Sequence, residues 1–367
     1  MNTKSSFYRI WAVAFAAVLF LAACSGDDTE VDDSEAETTE STDATSDGSA
    51  ESSDNADTDE NTDDASPMSA TIGIANIAPV QALLLVEEGF NEGLESCSAE
   101  IEPTIVSRNA EGDGSALGPI IGEFLASDTD LILAISTPVL QATVSANEAD
   151  GRGTPVLFGA VTDPFAAGAA TSPTDKPDWL TGWQADAPVK GMFDIAQEID
   201  PDLDVIGVAY DPSQVNSERA LAKMQEEADA RGITIETATI ADSSEVGAAA
   251  QALAGRDVDM FFVPTDSILV NGLAGMVAVA DDFDIPMIAQ DSNTTGAGAA
   301  IGTGLDYRGD GVRNGEYACQ ILTGQATPAD FPIQQFDEEL VAYNSASAEA
   351  QGFEIPAWII ERGVDNS

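Results

Sequence analysis

The sequence predicts an α/β protein with two lobes, each built on a parallel β-sheet. Strand and helix patterns alternate from Ala70 onward, in two similar runs that divide near Trp183. Alternation of this kind is typical of βαβ units and parallel sheets. The 300 residues 68–367 are enough for two lobes of ordinary size.

The first run contains four predicted strands and three predicted helices. Continuous apolar stretches at 131–135 and 155–160 are typical of strands buried on both faces of a sheet. A hydroxyl residue as N-cap before a proline, Thr137–Pro138, predicts the start of the third helix. In chain order the elements are strand 71–76, helix 79–94, strand 100–107, helix 115–125, strand 131–135, a helix from Thr137, and strand 155–160.

The second run repeats this order after residue 183. Its apolar strand at 259–263 is again of the fully buried type, and Gly232 marks the end of the helix over 217–231. In chain order the elements are helix 188–199, strand 204–210, helix 217–231, strand 233–240, helix 244–253, strand 259–263, helix 271–280 and strand 286–289.

The N-terminus reads as an export signal over residues 1–23. Lys4 and Arg9 precede an apolar run of 14 residues, 10–23, which has the order of a secretory signal peptide. The segment 21–24 (LAAC) resembles the lipobox of bacterial lipoproteins, which implies cleavage before Cys24 and a lipid on that residue. A transmembrane anchor is the alternative, but the run is shorter than the roughly 20 residues that span a bilayer.

Residues 24–67 are expected to form a disordered acidic linker. Between Ser25 and Pro67 there are 17 acidic residues, no Lys or Arg, and almost no large apolar side chain. Such a segment cannot bury enough apolar surface to offset chain entropy, and its like charges extend it. We therefore expect the folded part to sit outside the cytoplasmic membrane, held to it by lipid.

Charge excludes several classes of partner. Outside the signal and the linker remain 48 of the 65 acidic residues and 11 of the 13 basic ones, a net charge of about −37. A field this negative argues against nucleic acid and anionic lipid as direct partners. One hypothesis is adaptation to a salty habitat, where screening weakens self-repulsion.

The residue types exclude several kinds of chemistry. There is no histidine, so Ser-His-Asp and Cys-His catalysis and histidine-ligated metals are excluded. Beyond Cys24 the chain has two cysteines, Cys97 and Cys319, which are too few for a zinc site. Export favours a disulfide between them over two buried thiols. We expect neither a metal nor a cofactor.

Polar side chains follow nearly every predicted strand. Ligands of parallel sheets bind beyond the carboxyl ends of the strands, so two facing lobes predict a cleft between them. Hydroxyl groups at helix starts suit a carboxylate, whereas Asp163, Asp266 and Asp291 suit an ammonium group. Each residue alone is equally typical of a helix cap. The candidates are Asn76, Ser136, Thr137, Thr162, Asp163, Asn216, Ser217, Asp266 and Asp291.

These strand ends carry a resemblance to a known family. The chain resembles the ABC-transporter substrate-binding lipoproteins of the tryptophan/tyrosine type, over nearly all of residues 70–360. The motifs that carry it are 155–164 (PVLFGAVTDP), 210–217 (YDPSQVNS), 259–266, 304–311 (GLDYRGDG) and 344–356. The resemblance implies the type I periplasmic-binding fold, with two Rossmann-like lobes joined by a hinge. It implies a first lobe over 68–186 rejoined by 292–328, and a second over 187–291 rejoined by 329–367.

The resemblance also implies a function. A monomer captures a small solute, an aromatic amino acid above all, and delivers it to an ABC permease in the membrane. Matching positions carry over the binding role to eight residues, namely Ser136, Thr137, Thr162, Asp163, Asn216, Ser217, Asp266 and Asp291. No bond is made or broken, in keeping with the absence of a nucleophile–base motif, so the protein is not expected to be an enzyme.

Two departures from the family pattern bear on the ligand. Gln214 stands near a position where the family commonly has Glu, and Trp183 replaces the valine of a Thr-Gly-Val crossover. An aromatic ligand needs an apolar or aromatic wall. The candidates for it are Phe158, Phe165, Trp183 and Tyr307, of which Phe165 is preferred and Phe158 is expected in the core.

Three alternatives remain open from the sequence. A ligand sensor presented to a membrane receptor would use the same cleft. Within binding proteins, the main competing ligands are a nucleoside and a branched-chain amino acid. An enzyme on the same fold would need paired carboxylates such as Asp163 and Asp291 for acid–base work, and nothing in their spacing favours it.

Overall fold

Two mostly parallel sheets frame the chain, which confirms the predicted α/β class. The computed structural model describes residues 67–337 and 339–367. The predicted signal peptide, Cys24 and the linker up to residue 66 lie outside the described residues.

The strands are close to the predicted ones where the apolar runs are continuous. Leu131–Ile135 is observed with the predicted bounds, whereas Leu180–Gln184 was not predicted. In chain order the strands are β1 (Met68–Asn76), β2 (Ile101–Asn109), β3 (Leu131–Ile135), β4 (Val156–Val161), β5 (Leu180–Gln184), β6 (Val205–Tyr210), β7 (Thr234–Thr239), β8 (Met260–Val263), β9 (Met287–Ala289), β10 (Ile301–Leu305), β11 (Gln334–Gln335), β12 (Glu339–Tyr343) and β13 (Val364–Asp365).

The helices flank both sheets. The predicted helix 271–280 is observed over Leu273–Phe283, and a separate short helix, Ser267–Asn271, precedes it across Gly272, where a Cβ would lie 2.2 Å from the Ser243 carbonyl oxygen. In chain order they are α1 (Gln81–Leu94), α2 (Leu117–Ala126), α3 (Thr137–Asp150), α4 (Lys190–Ile199), α5 (Val215–Arg231), α6 (Val246–Ala254), α7 (Ser267–Asn271), α8 (Leu273–Phe283), α9 (Tyr307–Leu322), α10 (Ser345–Ala350) and α11 (Ala357–Arg362).

Each sheet orders its strands through crossovers. The first runs β2-β1-β3-β4-β5-β11 and is parallel throughout. The second runs β7-β6-β8-β9-β10-β12-β13, and only the β10–β12 pair is antiparallel. Within the described residues the chain passes between the sheets three times: after β5, after β10 and after β11.

Two strands lie in the other sheet from the one predicted. β10 pairs with β9 and β12 in the second sheet, although residues 292–328 were expected in the first lobe. Gly302 and Gly304 let this strand lie against the backbone of Asp291, where a Cβ at Gly302 would be 2.5 Å from the carbonyl oxygen. β11 pairs with β5 in the first sheet, although 329–367 were expected in the second lobe.

Alternating strand residues divide the core. One cluster surrounds the first sheet and includes Phe90, Phe124 and Phe158. The second sheet has a cluster on each face, since Phe261 and Phe262 are neighbours in β8 but belong to different clusters. The predicted disulfide is present: Cys97, just after α1, is bonded to Cys319 of α9, with 5.7 Å between their Cα atoms.

Candidate functional site

A cavity lies between the carboxyl ends of the strands of the two sheets. It encloses about 490 Å³, its opening to solvent included. The first lobe contributes hydroxyl groups, the second lobe adds hydroxyl, amide and carboxylate groups, and α1 and α7 add apolar side chains. The lining residues are Val80, Ala82, Leu83, Ser136, Thr137, Pro138, Ala160, Thr162, Asn216, Thr265, Asp266, Ser267, Val270, Asp291 and Tyr307.

The first-lobe wall is built from the ends of two adjacent strands. β3 ends at Ile135, and Ser136 follows with φ 92° and ψ 158°, a backbone region essentially restricted to glycine. Ser136, not Thr137 as predicted, is the cap residue of α3, and its side chain makes no capping hydrogen bond. Ala160 in β4 also has a positive φ, 51°. Residues that fit their backbone this poorly are concentrated at functional sites.

The second-lobe wall is held by a hydrogen bond between two strand-end segments. Asn216, in the first turn of α5, donates from Nδ2 to the carbonyl oxygen of Thr265 at 2.7 Å. Both residues line the cavity, and the described residues offer no hydrogen-bond partner to Asn216 Oδ1 or Thr265 Oγ1.

Unpaired buried polar atoms cluster in this cavity. Among the described residues, four that line the cavity each have a buried side-chain atom without a hydrogen-bond partner: Ser136 Oγ, Thr137 Oγ1, Asn216 Oδ1 and Thr265 Oγ1. Buried polar groups are normally paired, because an unpaired one costs about 1–3 kcal/mol. Their concentration at one place is the arrangement expected where a polar ligand completes the hydrogen bonds.

Asp291 is the acidic residue with capacity left for a ligand. Its Oδ1 accepts from the backbone and side-chain nitrogens of Asn293, both at 2.9 Å. Within residues 67–337 and 339–367 no protein hydrogen bond or ion pair engages its Oδ2. Burial raises the pKa of Asp291, since the charged form is poorly solvated there.

Asp266 lines the cavity but is already saturated. Its oxygens accept five hydrogen bonds, from the backbone of Asp211, Ile268 and Leu269 and from the side chains of Gln214 and Ser217. Burial raises the pKa of this carboxyl group. Asp266 therefore serves as the N-cap of α7 and as the centre of a buried network, with little capacity for an ammonium group.

The hydrogen bonds of Gln214 explain why an amide occupies this position. Its Nε2 donates to Asp211 and to Asp266, each at 3.1 Å, and its Oε1 accepts from Ser267 Oγ at 2.8 Å. An amide can donate to two carboxylates, whereas a glutamate would add a third carboxylate to the cluster.

Four predicted site residues do not line the cavity. Asp163 caps Phe165 and Ala166 with one oxygen, and its other oxygen lies 2.7 Å from Arg219 Nη1. Ser217 is turned inward to Asp266, and Phe165 packs on the first-lobe core. Asn76 is buried beneath the lining, with its Oδ1 bonded to the backbone of Ala78. Ser136, Thr137, Thr162, Asn216, Asp266 and Asp291 do line it.

The aromatic candidates divide between the first-lobe core and the cavity. Phe158 is fully buried in the core, as expected. Trp183 belongs to the same core: its ring centroid lies 5.7 Å from that of Tyr317, and Arg313 stacks on it at 5.1 Å. Tyr307 lines the cavity, and burial raises its pKa well above the ordinary value.

Several lining residues are missing from the predicted set. Thr265 and Ser267 follow the apolar strand β8, as Asp266 does, so the same pattern could have predicted them from the sequence. Val80, Leu83 and Val270 have no such signal, because their helical spacing is also that of core residues.

Two further structural properties bear on the class of protein. Across the described residues, none of the helices combines the length and apolar character that crossing a bilayer requires. The same residues contain no group of three or more acidic or cysteine side chains arranged to hold a metal ion.

Comparison with known proteins shows which family the chain resembles. Residues 71–365 match the family model described as ABC transporter substrate binding protein. The chain is 30% identical over 294 residues to the tyrosine-binding protein of Clostridioides difficile, covering 79% of this chain and 83% of that one.

Two solved structures are similar along nearly their whole length. The ABC domain from Streptococcus pneumoniae in complex with L-Trp is 25% identical, with a TM-score of 0.74, covering 80% of this chain and 98% of that one. A ligand-free, open substrate-binding protein from Clostridium difficile is 29% identical with a TM-score of 0.59, covering 81% and 98%. The chain belongs to the family of ABC transporter substrate-binding proteins.

Proposed function

We propose that this protein captures an aromatic amino acid between its lobes and delivers it to an ABC permease. Members of the family bind small solutes outside the cytoplasm and work with such permeases, and they are not enzymes. The observation that carries the proposal is that four residues lining one cavity each have an unpaired buried polar atom, and that Asp291 in the same lining has a carboxylate oxygen to which none of the described residues bonds.

The two polar ends of an amino acid fit different parts of this lining. Ser136 Oγ and Thr137 Oγ1, at the start of α3, suit a carboxylate, since helix N-termini favour negative charge. The free oxygen of Asp291 suits the ammonium group. Asn216 Oδ1 is a second acceptor, able to receive one of the ammonium protons.

An aromatic side chain fits the remaining wall. Tyr307, Val80, Leu83 and Val270 give the cavity its apolar surface. Ring-on-ring contact with Tyr307 would add to the burial of apolar area. The names of the two relatives, one tyrosine-binding and one solved with L-Trp, support the same class of ligand.

Capture is proposed to proceed by closure of the lobes about the hinge. A ligand that contacts both walls binds the closed form better and shifts the equilibrium toward it. Ser136 and Thr137 follow β3 of the first sheet, whereas Asn216 and Asp291 follow strands of the second. A ligand in contact with both pairs would therefore link the lobes.

The tether is part of the proposal. Cleavage before Cys24 and lipid on that residue would hold a monomer beside its permease at high effective concentration. Mass spectrometry of the membrane fraction would find a diacylglyceryl group on Cys24. An unmodified Cys24 in a secreted chain would refute the anchor and leave the binding function standing.

The test of the ligand is calorimetry against a panel. The panel contains L-tryptophan, L-tyrosine, L-phenylalanine, L-isoleucine and adenosine. We expect the aromatic amino acids to bind most tightly, and at 100 times Kd each adds about 2.7 kcal/mol to stability. Tightest binding of isoleucine or adenosine would overturn the aromatic assignment in favour of that class. Unchanged uptake in a deletion strain would favour a sensor.

The proposed role of Asp291 predicts that ligand affinity depends on pH. Because burial raises its pKa, this carboxyl takes up a proton at a higher pH than an ordinary aspartate. A neutral acid no longer attracts the ammonium group, so affinity should fall on acidification. Asp291→Asn should bind more weakly and lose this pH dependence. An unchanged pH profile in the variant would exclude the pairing.

A further inference from the structure

Helix α9 is locked onto α1 by backbone contact. A Cβ at Gly311 would lie 2.2 Å from the Val86 carbonyl oxygen, and one at Gly315 would lie 2.3 Å from that of Phe90. Only glycine permits this approach. The disulfide Cys97–Cys319 fastens the same two helices at their far end. α9 is therefore a fixed platform within the first lobe.

This platform carries a fully buried carboxylate toward the sheet. Asp310 has no exposed surface, and its Oδ2 accepts the backbone N–H of Ala160 in β4 at 2.7 Å. Its Oδ1 accepts from Asn314 Nδ2 at 2.9 Å. A Cβ at Gly159 would lie 2.7 Å from a Val86 methyl carbon and 3.2 Å from Asp310 Oδ2, so glycine makes room for the contact.

The peptide unit between Gly159 and Ala160 is thereby held from both sides. Its N–H donates to Asp310, and its carbonyl oxygen accepts from the backbone N–H of Ser136 at 3.0 Å. Both Ser136 and Ala160 have positive φ, 92° and 51°. Such backbones persist only where surrounding contacts enforce them. The hydrogen bond from the Ala160 N–H to Asp310 is one such contact at this point.

We propose that Asp310 is a positioning residue for the ligand: through the Gly159–Ala160 peptide it holds Ser136 in the strained backbone that directs its unpaired hydroxyl into the cavity. This rests on the proposed function, since Ser136 is there a ligand-binding residue. Asp310 itself does not line the cavity, so it acts on the ligand only through the Gly159–Ala160 peptide and Ser136.

The variant Asp310→Asn tests this in the full protein. An amide cannot accept from both Ala160 and Asn314 in the same orientation, because one of its two ends is a donor. We expect the affinity for the tightest-binding aromatic amino acid, measured by calorimetry, to fall about tenfold. The matched control is Asp306→Asn on the same helix, whose side chain caps Gly309; it should stay within about twofold of wild type.

A rescue separates positioning from mere support of the fold. The hydrogen bonds that join the Gly159–Ala160 peptide to Asp310 and Ser136 are here called the clamp. Glycine occupies positive φ without strain, so a protein with Ala160→Gly depends less on the clamp. The double variant Asp310→Asn/Ala160→Gly should therefore bind more tightly than Asp310→Asn alone. Wild-type affinity in Asp310→Asn, or a double variant as weak as the single one, would overturn the proposal.

Amide hydrogen exchange reads the clamp without any ligand. The Ala160 and Ser136 amides should exchange slowly in the wild-type protein and much faster in Asp310→Asn. Fast exchange of both in the wild type would overturn the clamp, even where the variant cannot be folded. Failure of wild type to bind any member of the panel would instead refute the proposed function and leave the exchange result to decide on the clamp.

Discussion

Arg219 Nη1 lies 2.7 Å from Asp163 Oδ2, and this ion pair joins the two lobes. Arg219 belongs to α5 on the second sheet, whereas Asp163 follows β4 of the first. The same guanidinium contacts Asp186 at 2.9 Å, in the first segment that crosses between the lobes. A residue that the sequence predicts to bind the ligand is thus part of an ion pair between the lobes.

Removing this cation should favour the open form. Arg219→Met leaves Asp163, whose side chain is 8% exposed, without its partner. The loss is about 1–2 kcal/mol, reduced because Arg219 is itself 36% exposed, so ligand affinity should fall about five- to thirtyfold. Small-angle scattering should show a larger radius of gyration without ligand. Arg231→Met is the control, since Arg231 pairs with Asp194 and Glu227 inside one lobe; equal affinity losses in both variants would contradict the interlobe role.

Two threonines whose hydroxyl oxygens are buried separate binding from stability. Thr265 Oγ1 has no partner, whereas Thr143 Oγ1 donates to the Val139 carbonyl oxygen at 2.8 Å. Thr265→Val should weaken ligand binding about fivefold and leave unfolding unchanged, because only the ligand uses that hydroxyl. Thr143→Val should do the reverse, costing about 1 kcal/mol of stability. Calorimetry and urea unfolding measure both, and a large stability loss in Thr265→Val would mean that the hydroxyl has a structural partner.

A glutamate at position 214 should destabilise the second lobe. Gln214→Glu replaces a donor to Asp211 and Asp266 by a third buried acid, at a cost of about 2–3 kcal/mol near pH 8. The cost should shrink near pH 5, where a carboxyl in such a cluster takes up a proton and becomes a donor again. Gln225→Glu, exposed on the same helix beside Asp229, is the control. Matching unfolding curves for the two variants at pH 8 would refute the role of the amide.

Stability should depend on pH through Asp310. Burial raises its pKa to about 7 from an ordinary 3.8, against the lowering effect of the hydrogen bonds from Ala160 and Asn314. Between these values the folded chain keeps a proton that the unfolded chain has lost, so stability falls as pH rises. Relative to Asp310→Asn, the wild type should lose at most about 4 kcal/mol from pH 4 to pH 8. Parallel unfolding curves of the two proteins across this range would exclude the effect.

Reduction of the disulfide should weaken the first lobe. The bond closes a separation of 222 residues, and loss of such a bond typically costs about 2–5 kcal/mol. Dithiothreitol should therefore lower the melting temperature of the wild type. The double variant Cys97→Ser/Cys319→Ser should melt at that lower temperature with or without the reductant. A further shift of the variant on adding reductant would point to a different cause.

Continuous apolar runs made most of the fold predictable. Leu131–Ile135 has every side chain buried, so its pattern could only be a central strand. β10 reads Ile-Gly-Thr-Gly-Leu and gives no such signal, because its glycines are selected by close contact with the backbone of Asp291. β11 has two residues, and its place beside β5 depends on the contact of Gln335 with Gln184, which lies 151 positions away in the sequence.

The location of the candidate site could be predicted from the sequence, but the role of each residue in it could not. Strand ends correctly indicated Ser136, Thr137, Asn216 and Asp291 as residues that meet in one cavity. Nothing local distinguishes Asp291, which keeps a free oxygen, from Asp163 and Asp266. Their oxygens are occupied by groups such as Arg219 and Ser217, which become neighbours only in the folded chain.

The return of α9 to the first lobe has a consequence for the order in which the protein forms. The first sheet has its strands β1 to β5 by residue 184, but the helix that covers β4, fixes Ala160 and receives the bond from Cys97 follows more than a hundred residues later. During synthesis from the N-terminus, the face of the first sheet that α9 covers therefore stays exposed until the strands of the second sheet up to β10 have been made. The ligand site is completed late in the emergence of the chain, and truncated chains that end before α9 should be prone to aggregate through that exposed face.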